Sequence, residues 1–164
     1  MKRFAASLFL IFLVCGLWAQ DSKPATAPLL RDVKSVQIEP TVVPSPDKVK
    51  EPSAPNLVQD SLRNAFRSAN IEVVESAPIH AHIVLDEFTS GSTAKRFMVG
   101  FGAGRSTITC QLVLLDATGK ELRNVTIHVR GALAFSPYEG NNTQRRQAVN
   151  SFDQRLLEEI EKMK

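Results

Sequence analysis

The chain has 164 residues, 43% of them hydrophobic, with 20 Lys+Arg against 17 Asp+Glu, two cysteines and a formal charge of +3. That length suffices for one domain with its own core. The basic residues form no cluster of the kind that tracks a phosphate backbone, which excludes nucleic acid as an expected partner.

Met1-Lys2-Arg3 is a short positive start, and Phe4 to Val14 is apolar apart from Ser7. A small-residue cleavage region follows near Ala19, so residues 1–19 read as a secretory signal peptide. The expected location is therefore periplasmic or secreted. Two exits from the signal are open. Cleavage after Ala19 releases a soluble protein, whereas lipidation at Cys15 makes an outer-membrane lipoprotein. Val14 is bulkier than a lipobox wants before its cysteine, which favours the soluble exit. The apolar run also falls short of the roughly 20 residues that span a bilayer. Removal of Lys2 and Arg3 reduces 20 basic residues to 18 against 17 acidic ones, a nearly neutral mature chain. Cys110 is then alone, cannot form an internal disulfide, and reads as a small core hydrophobe.

Residues 20–32 are polar and proline-bearing and read as a disordered leader. Residues 33–164 read as a single α/β domain. Val33 to Ile38 is a short strand candidate. Pro40, Pro44, Pro46, Pro52 and Pro55 then make 40–55 a loop with extended character, since each removes a donor and restricts its predecessor. Asn56 is placed as an N-cap with Gln59 as its capping-box partner. Leu57, Val58, Leu62, Ala65, Phe66 and Ala69 follow at helical spacing, which predicts a helix over Leu57 to Ala69 stopped by Asn70. Ile71 to Val74 is a further short strand.

Ala81 to Thr89 predicts a longer strand. Ile83 and Leu85 point one way and Val84 and Phe88 the other, which suits a position inside a sheet. Thr107 to Leu115 is the clearest strand, with Ile108, Cys110, Leu112 and Leu114 on one face. Asp116 to Lys120 is turn chemistry, and Leu122 to Val129 returns. With Thr118-Gly119 as the tip, Cys110 faces Ile127, Leu112 faces Val125 and Ile108 faces Val129. A one-residue slip would set Cys110 against Thr126, so pattern selects the register. Asn142 or Thr143 caps a last helix to about Lys162, with Val149, Phe152, Leu156 and Ile160 on one stripe and Glu158, Glu159, Glu161 and Lys162 toward water. The order strand, helix, four strands, helix predicts an α+β fold: a largely antiparallel four- to five-stranded sheet with two helices packed on one face.

The unusual internal feature is residues 91–107. A phosphate-binding loop is excluded there: Gly100, Gly102 and Gly104 alternate, Arg105 stands where a dinucleotide motif needs its third glycine, and a strand follows rather than a helix. No nucleotide is expected. One reading is a connection whose glycines permit close backbone approach. The other is a contact loop formed by Phe97, Met98, Val99, Gly100, Phe101, Gly102 and Gly104, meeting a protein or a lipid surface.

The runs Phe88-Thr89-Ser90-Gly91-Ser92 and Phe97-Met98-Val99-Gly100-Phe101-Gly102-Ala103-Gly104, with the strand ending in Asp116-Ala117-Thr118-Gly119-Lys120, resemble an uncharacterised bacterial cell-envelope family. It is known only as a domain of unknown function, and many members carry secretion or lipoprotein signals. The resemblance covers roughly residues 33 to 162 and implies no activity, ligand or catalytic residue.

Other chemistry is weak. His80 and His82 would share one side of a strand, but a zinc site needs a third and fourth ligand. The hairpin register puts Cys110 and His128 on opposite faces, so they form no nucleophilic pair. Asp86 and Glu87 are adjacent in a strand and are expected to face opposite ways. The sequence therefore leads to an exported, non-enzymatic binding or assembly module with no cofactor, no metal and no catalytic residue. Its expected partner is an unidentified envelope protein or a membrane surface. The alternative is a periplasmic small-ligand or lipid-binding protein with a cavity between sheet and helices.

Overall fold

A computed structural model describes residues 28–92, 98, 104–131 and 141–164. Its elements, in chain order, are β1 (Ser35–Ile38), a 3-10 turn (Pro46–Lys48), α1 (Ala54–Ser68), β2 (Glu72–Val74), β3 (Ile79–Thr89), β4 (Thr107–Asp116), β5 (Glu121–Arg130) and α2 (Asn141–Lys162). The strands form one five-stranded sheet in the order β2-β1-β3-β4-β5. β1 runs parallel to both β2 and β3, while the long β3–β4 and β4–β5 ladders are antiparallel. The fold is α+β, as the element order predicts.

One sheet face carries the core. Ala81, Ile83, Leu85, Ile108, Cys110, Leu112, Leu114 and Ile127 are essentially inaccessible there. They pack with Val58, Leu62 and Phe66 of α1 and Phe152, Leu156 and Ile160 of α2 in one cluster. Each of the Val, Leu, Ile and Phe side chains among them stabilises the fold by about 1.5–3 kcal/mol on burial. The other face carries Thr109, Gln111 and Val84, half-buried, and Asn124, Thr126 and His128, exposed.

The centre of the β4–β5 hairpin pairs as alternation requires: Ile108 with Val129, Cys110 with Ile127 and Leu112 with Val125. Its tip differs from the two-residue turn expected. The Gly119 N–H donates to the Asp116 carbonyl (2.9 Å) and the Asp116 N–H to the Lys120 carbonyl (2.9 Å). This is a three-residue loop with Gly119 at φ +83°, a type I turn closed by a left-handed residue. Register shifts by one between Leu114 and Leu115, leaving Leu122 as the extra residue that restores the predicted pairing.

A second bulge corrects the reading of β3. Leu85 pairs with Cys110 and Glu87 with Thr109, so Asp86 is extra. The extra residue inverts the alternation and turns Phe88 to the core face beside Ile83 and Leu85, where it is 1% exposed. The strand does lie inside the sheet, but Phe88 shares the core face with Ile83 and Leu85, while Val84, which precedes the bulge, stays on the other face. Asp86 and Glu87 also do not diverge: Asp86 accepts from Gln111 Nε2 at 3.2 Å, and Glu87 pairs with Thr109, so both belong to the outer face.

The helix α1 begins at Ala54, not Leu57. Ser53 precedes it without a side-chain cap, and a proline lies in its first turn, where a missing N–H costs nothing. Gln59 closes no capping box; its Nε2 donates to the Glu39 carbonyl at 3.4 Å. Asn70 ends the helix as expected, at φ +59°. The Ile71 N–H reaches the Phe66 carbonyl (2.9 Å) and the Asn70 N–H that of Arg67 (3.0 Å), the paired bonds of a Schellman motif.

Three further boundaries shift. Leu30, assigned to the leader, is 1% exposed within the core, and its N–H donates to the Met163 carbonyl at 2.6 Å. The proline-rich 40–55 segment is extended but docked: the Val42 N–H donates to Ile83 and its carbonyl accepts from Leu85, both at 2.8 Å. It continues the β1 edge along β3. Finally, α2 already contains Asn141, so Asn142 and Thr143 lie inside it. On its outer side Glu159 is only partly in water, lying 2.7 Å from Lys162 and 3.5 Å from Arg155.

Candidate functional site

β3 and β4 pair to their ends, Thr89 with Thr107, so the connection between them leaves from the ends of two inner strands. The described ends of this connection converge. The Ser92 N–H donates to the Gly104 carbonyl at 2.8 Å. Gly91 has φ +86° and Gly104 φ +67°, conformations that side chains disfavour. A Cβ on Gly91 would lie 2.7 Å from the Gly104 oxygen and 3.1 Å from the Ser106 nitrogen. The close-approach reading of these glycines is therefore correct at Gly91. Of the expected contact loop, Met98 is 87% exposed. Phe97, Val99, Gly100, Phe101 and Gly102 lie outside the described residues, as do residues 1–19, read as a signal peptide, and Cys15 within them.

These converging ends wall a cleft of about 480 Å³. Thr89, Ser90, Gly91 and Ser92 line it from the β3 side, and Gly104, Arg105 and Thr107 from the β4 side. His128 and Arg130 enter from β5, Lys50 from the chain before α1, and Glu87 from the β3 bulge. Three permanent cations thus face one carboxylate. Topology assembles them: Arg130 is the cross-strand partner of Thr107, and the Val49–Phe88 bridge brings Lys50 alongside. Among the described residues, none of Lys50, Arg105 or Arg130 forms an ion pair. The Arg105 Nε is buried without a hydrogen-bond partner among the described residues.

The sequence reading passed over this group because its charges lie far apart in the chain and match no motif. A signal was nevertheless present. The same register that pairs Cys110 with Ile127 pairs Thr107 with Arg130, two residues from Arg105.

The other sequence candidates separate as follows. His80 and His82 share the outer face, but His80 Nδ1 contacts Glu39 Oε1 at 2.7 Å. Among the described residues, no three His, Cys, Asp or Glu side chains group in a way that could hold a metal. His128 Nδ1 lies 2.8 Å from Thr109 Oγ1 on the outer face, while Cys110 is buried on the opposite one. Burial, with a smaller contribution from the Asp86 charge, pushes the Cys110 thiol up to about 12, the opposite of an activated nucleophile.

Comparison with solved structures finds this fold elsewhere. A point-variant PelC dodecamer from Paraburkholderia phytofirmans aligns with a TM-score of 0.58 at 12% identity, over 84% of this chain and 92% of that one. A second PelC dodecamer from the same organism aligns at 0.53 and 13% identity, over 85% and 91%. A Xanthomonas campestris protein of the family model DUF330 aligns at 0.50 and 15% identity, over 84% and 83%. At such identities the likeness is one of fold. No match was found among curated proteins. Residues 30–134, from the leader's buried end through β5, match the model of a domain of unknown function, DUF4410, and the chain belongs to that family.

Proposed function

We propose that this protein is exported to the bacterial envelope and acts there without catalysis, as a binding or assembly module. The contact surface is the outer sheet face at the cleft, with the glycine-rich connection beside it. The observation that carries this reading is the cleft itself: three cations without a carboxylate partner among the described residues, gathered with small polar residues where the β3–β4 connection leaves the sheet, and Met98 of that connection exposed. Helices α1 and α2 pack on the opposite face, so they support this surface without covering it. The signal-like N-terminus supports export, by cleavage after Ala19 to a periplasmic or secreted product or by lipidation at Cys15.

Assembly is favoured by a separate observation, the fold shared with the subunits of two PelC dodecamers. The cavity between sheet and helices needed by the small-ligand or lipid-binding alternative has little support among the described residues. Phe66, Phe88 and Phe152 are fully buried in the core cluster that joins sheet and helices.

Fractionation of cells expressing the full chain tests the address. A processed protein in the periplasm, medium or outer membrane is expected; unprocessed protein confined to the cytoplasm overturns it. Replacement of Phe97, Met98 and Phe101 together by Ser tests the surface. Loss of complexes recovered from envelope extracts is expected, and recovery of every one by the variant overturns the loop's role.

A further inference from the structure

We infer that the cleft is an oxyanion site, taking a carboxylate or phosphate carried on a small hydroxyl-rich molecule such as a sugar acid or sugar phosphate. The inference rests on the binding-module reading and names the ligand class of its site.

Three observations carry it. The first is charge: Lys50, Arg105 and Arg130 against Glu87 leave an excess of two positive charges in one concavity. A concavity of one sign concentrates counter-ions of the other. The second is lack of satisfaction. Surface arginines and lysines of this protein commonly find carboxylates, as Arg63 does with Asp60 and Arg155 with Glu158. Among the described residues the three cleft cations have none, and the buried Arg105 Nε–H has no acceptor there either. A buried donor left unpaired is costly, and a bound oxyanion is the group that satisfies it, because a guanidinium fork matches carboxylate and phosphate geometry.

The third observation is size and lining. About 480 Å³ falls in the range of small-molecule sites, roughly 300–1,000 Å³. The remaining described wall is mostly hydroxyls and glycine backbone, with Thr89, Ser90, Ser92 and Thr107 beside Gly91 and Gly104, and the His128 ring on the β5 side. Such a wall suits a polyhydroxylated carrier. The face is also too small and too mixed in charge to track a polyanion.

Glucuronate, glucose 6-phosphate and uncharged glucose, titrated into the mature protein purified from envelope fractions, test the inference. Backbone amide shifts at Gly91, Gly104 and Thr107 follow binding. Saturable binding of at least one anionic sugar, weakened by salt, is expected, with glucose failing. Arg105→Gln and Arg130→Gln should each lower the affinity about 10- to 100-fold, the loss of one charged hydrogen-bonding group. Arg130 is exposed, so its variant keeps the test open if Arg105→Gln fails to fold. The inference is overturned if neither anion binds at about 10 mM, if glucose binds equally, or if the variants bind like the parent. Binding only to vesicles of phosphatidylglycerol would also overturn it, assigning the charge to a membrane surface. Failure here leaves the fractionation and complex-recovery results standing, so it is distinguishable from failure of the module reading.

Discussion

Gly91 and Gly119 provide a matched pair. Both are left-handed, at φ +86° and +83°, but a Cβ on Gly119 meets nothing within 4 Å, whereas one on Gly91 meets the Gly104 oxygen at 2.7 Å, the Ser106 nitrogen at 3.1 Å and the Arg105 carbonyl carbon at 3.3 Å. Gly119→Ala therefore carries only the conformational cost of about 1–2 kcal/mol, partly offset by about 0.4–1 kcal/mol of lost unfolded-state freedom. Gly91→Ala carries the same two contributions plus a collision. All three atoms it meets are backbone, so no rotamer change relieves it. Separating the strand ends lengthens the Ser92–Gly104 hydrogen bond, which contributes about 1 kcal/mol, and overpacking adds about 1–3 kcal/mol. The alanine at 91 should thus be about 2–4 kcal/mol less stable than the alanine at 119, summing those two contributions. At a urea m-value of about 2 kcal/mol/M, its unfolding midpoint lies about 1–2 M lower. Equal midpoints would refute the claim that close approach at the mouth of the cleft is what demands glycine there.

Three other outcomes follow. Phe152→Ala empties a fully buried site between α2 and the sheet and should cost about 3–5 kcal/mol in the same assay; a loss under 1 kcal/mol would mean that α2 is not docked as described. Cys110, whose thiol is pushed from 9.0 to about 12, should resist thiol reagents until the protein unfolds. Because the unfolded thiol ionises first, stability should fall as pH rises from about 9 toward 12, up to tenfold in the folding equilibrium per pH unit, and Cys110→Ala should remove that slope. The Asp116 carboxyl is held below the usual carboxylate range by the Thr118 hydroxyl, the Lys120 N–H and the Thr118 N–H. Its contribution is present above its ordinary value and is lost as pH falls through the folded one, and an NMR titration of Thr118→Val should move its pKa upward.

Much of the fold was legible because alternation carries long-range information. Ile108, Cys110 and Leu112 alternate without interruption, so a one-residue slip would set them against polar partners in place of Val129, Ile127 and Val125. Where an extra residue enters, the pattern misleads. Asp86 inverts the parity of β3, and Phe88 then reads as belonging to the wrong face. At the hairpin tip two departures cancel: the three-residue turn shifts the pairing and Leu122 shifts it back, so the body of the hairpin conceals both. The docking of the proline-rich segment on β3 was illegible for another reason. Prolines report local extension but not the edge against which an extended chain lies. The candidate site was less legible than the fold. Lys50, Arg105 and Arg130 come from three segments, and only the finished topology makes them neighbours.

The central claim is that the outer face around the cleft is where this protein meets its partner. Photo-crosslinking in intact cells tests it directly, with a benzophenone amino acid placed in turn at Met98 and at Glu158, whose side chain is 57% exposed on α2. The account predicts discrete adducts, to an envelope component or to a second copy, from position 98 and none from position 158. Adducts from position 158 alone, or none from either in envelopes that contain the processed protein, would contradict it.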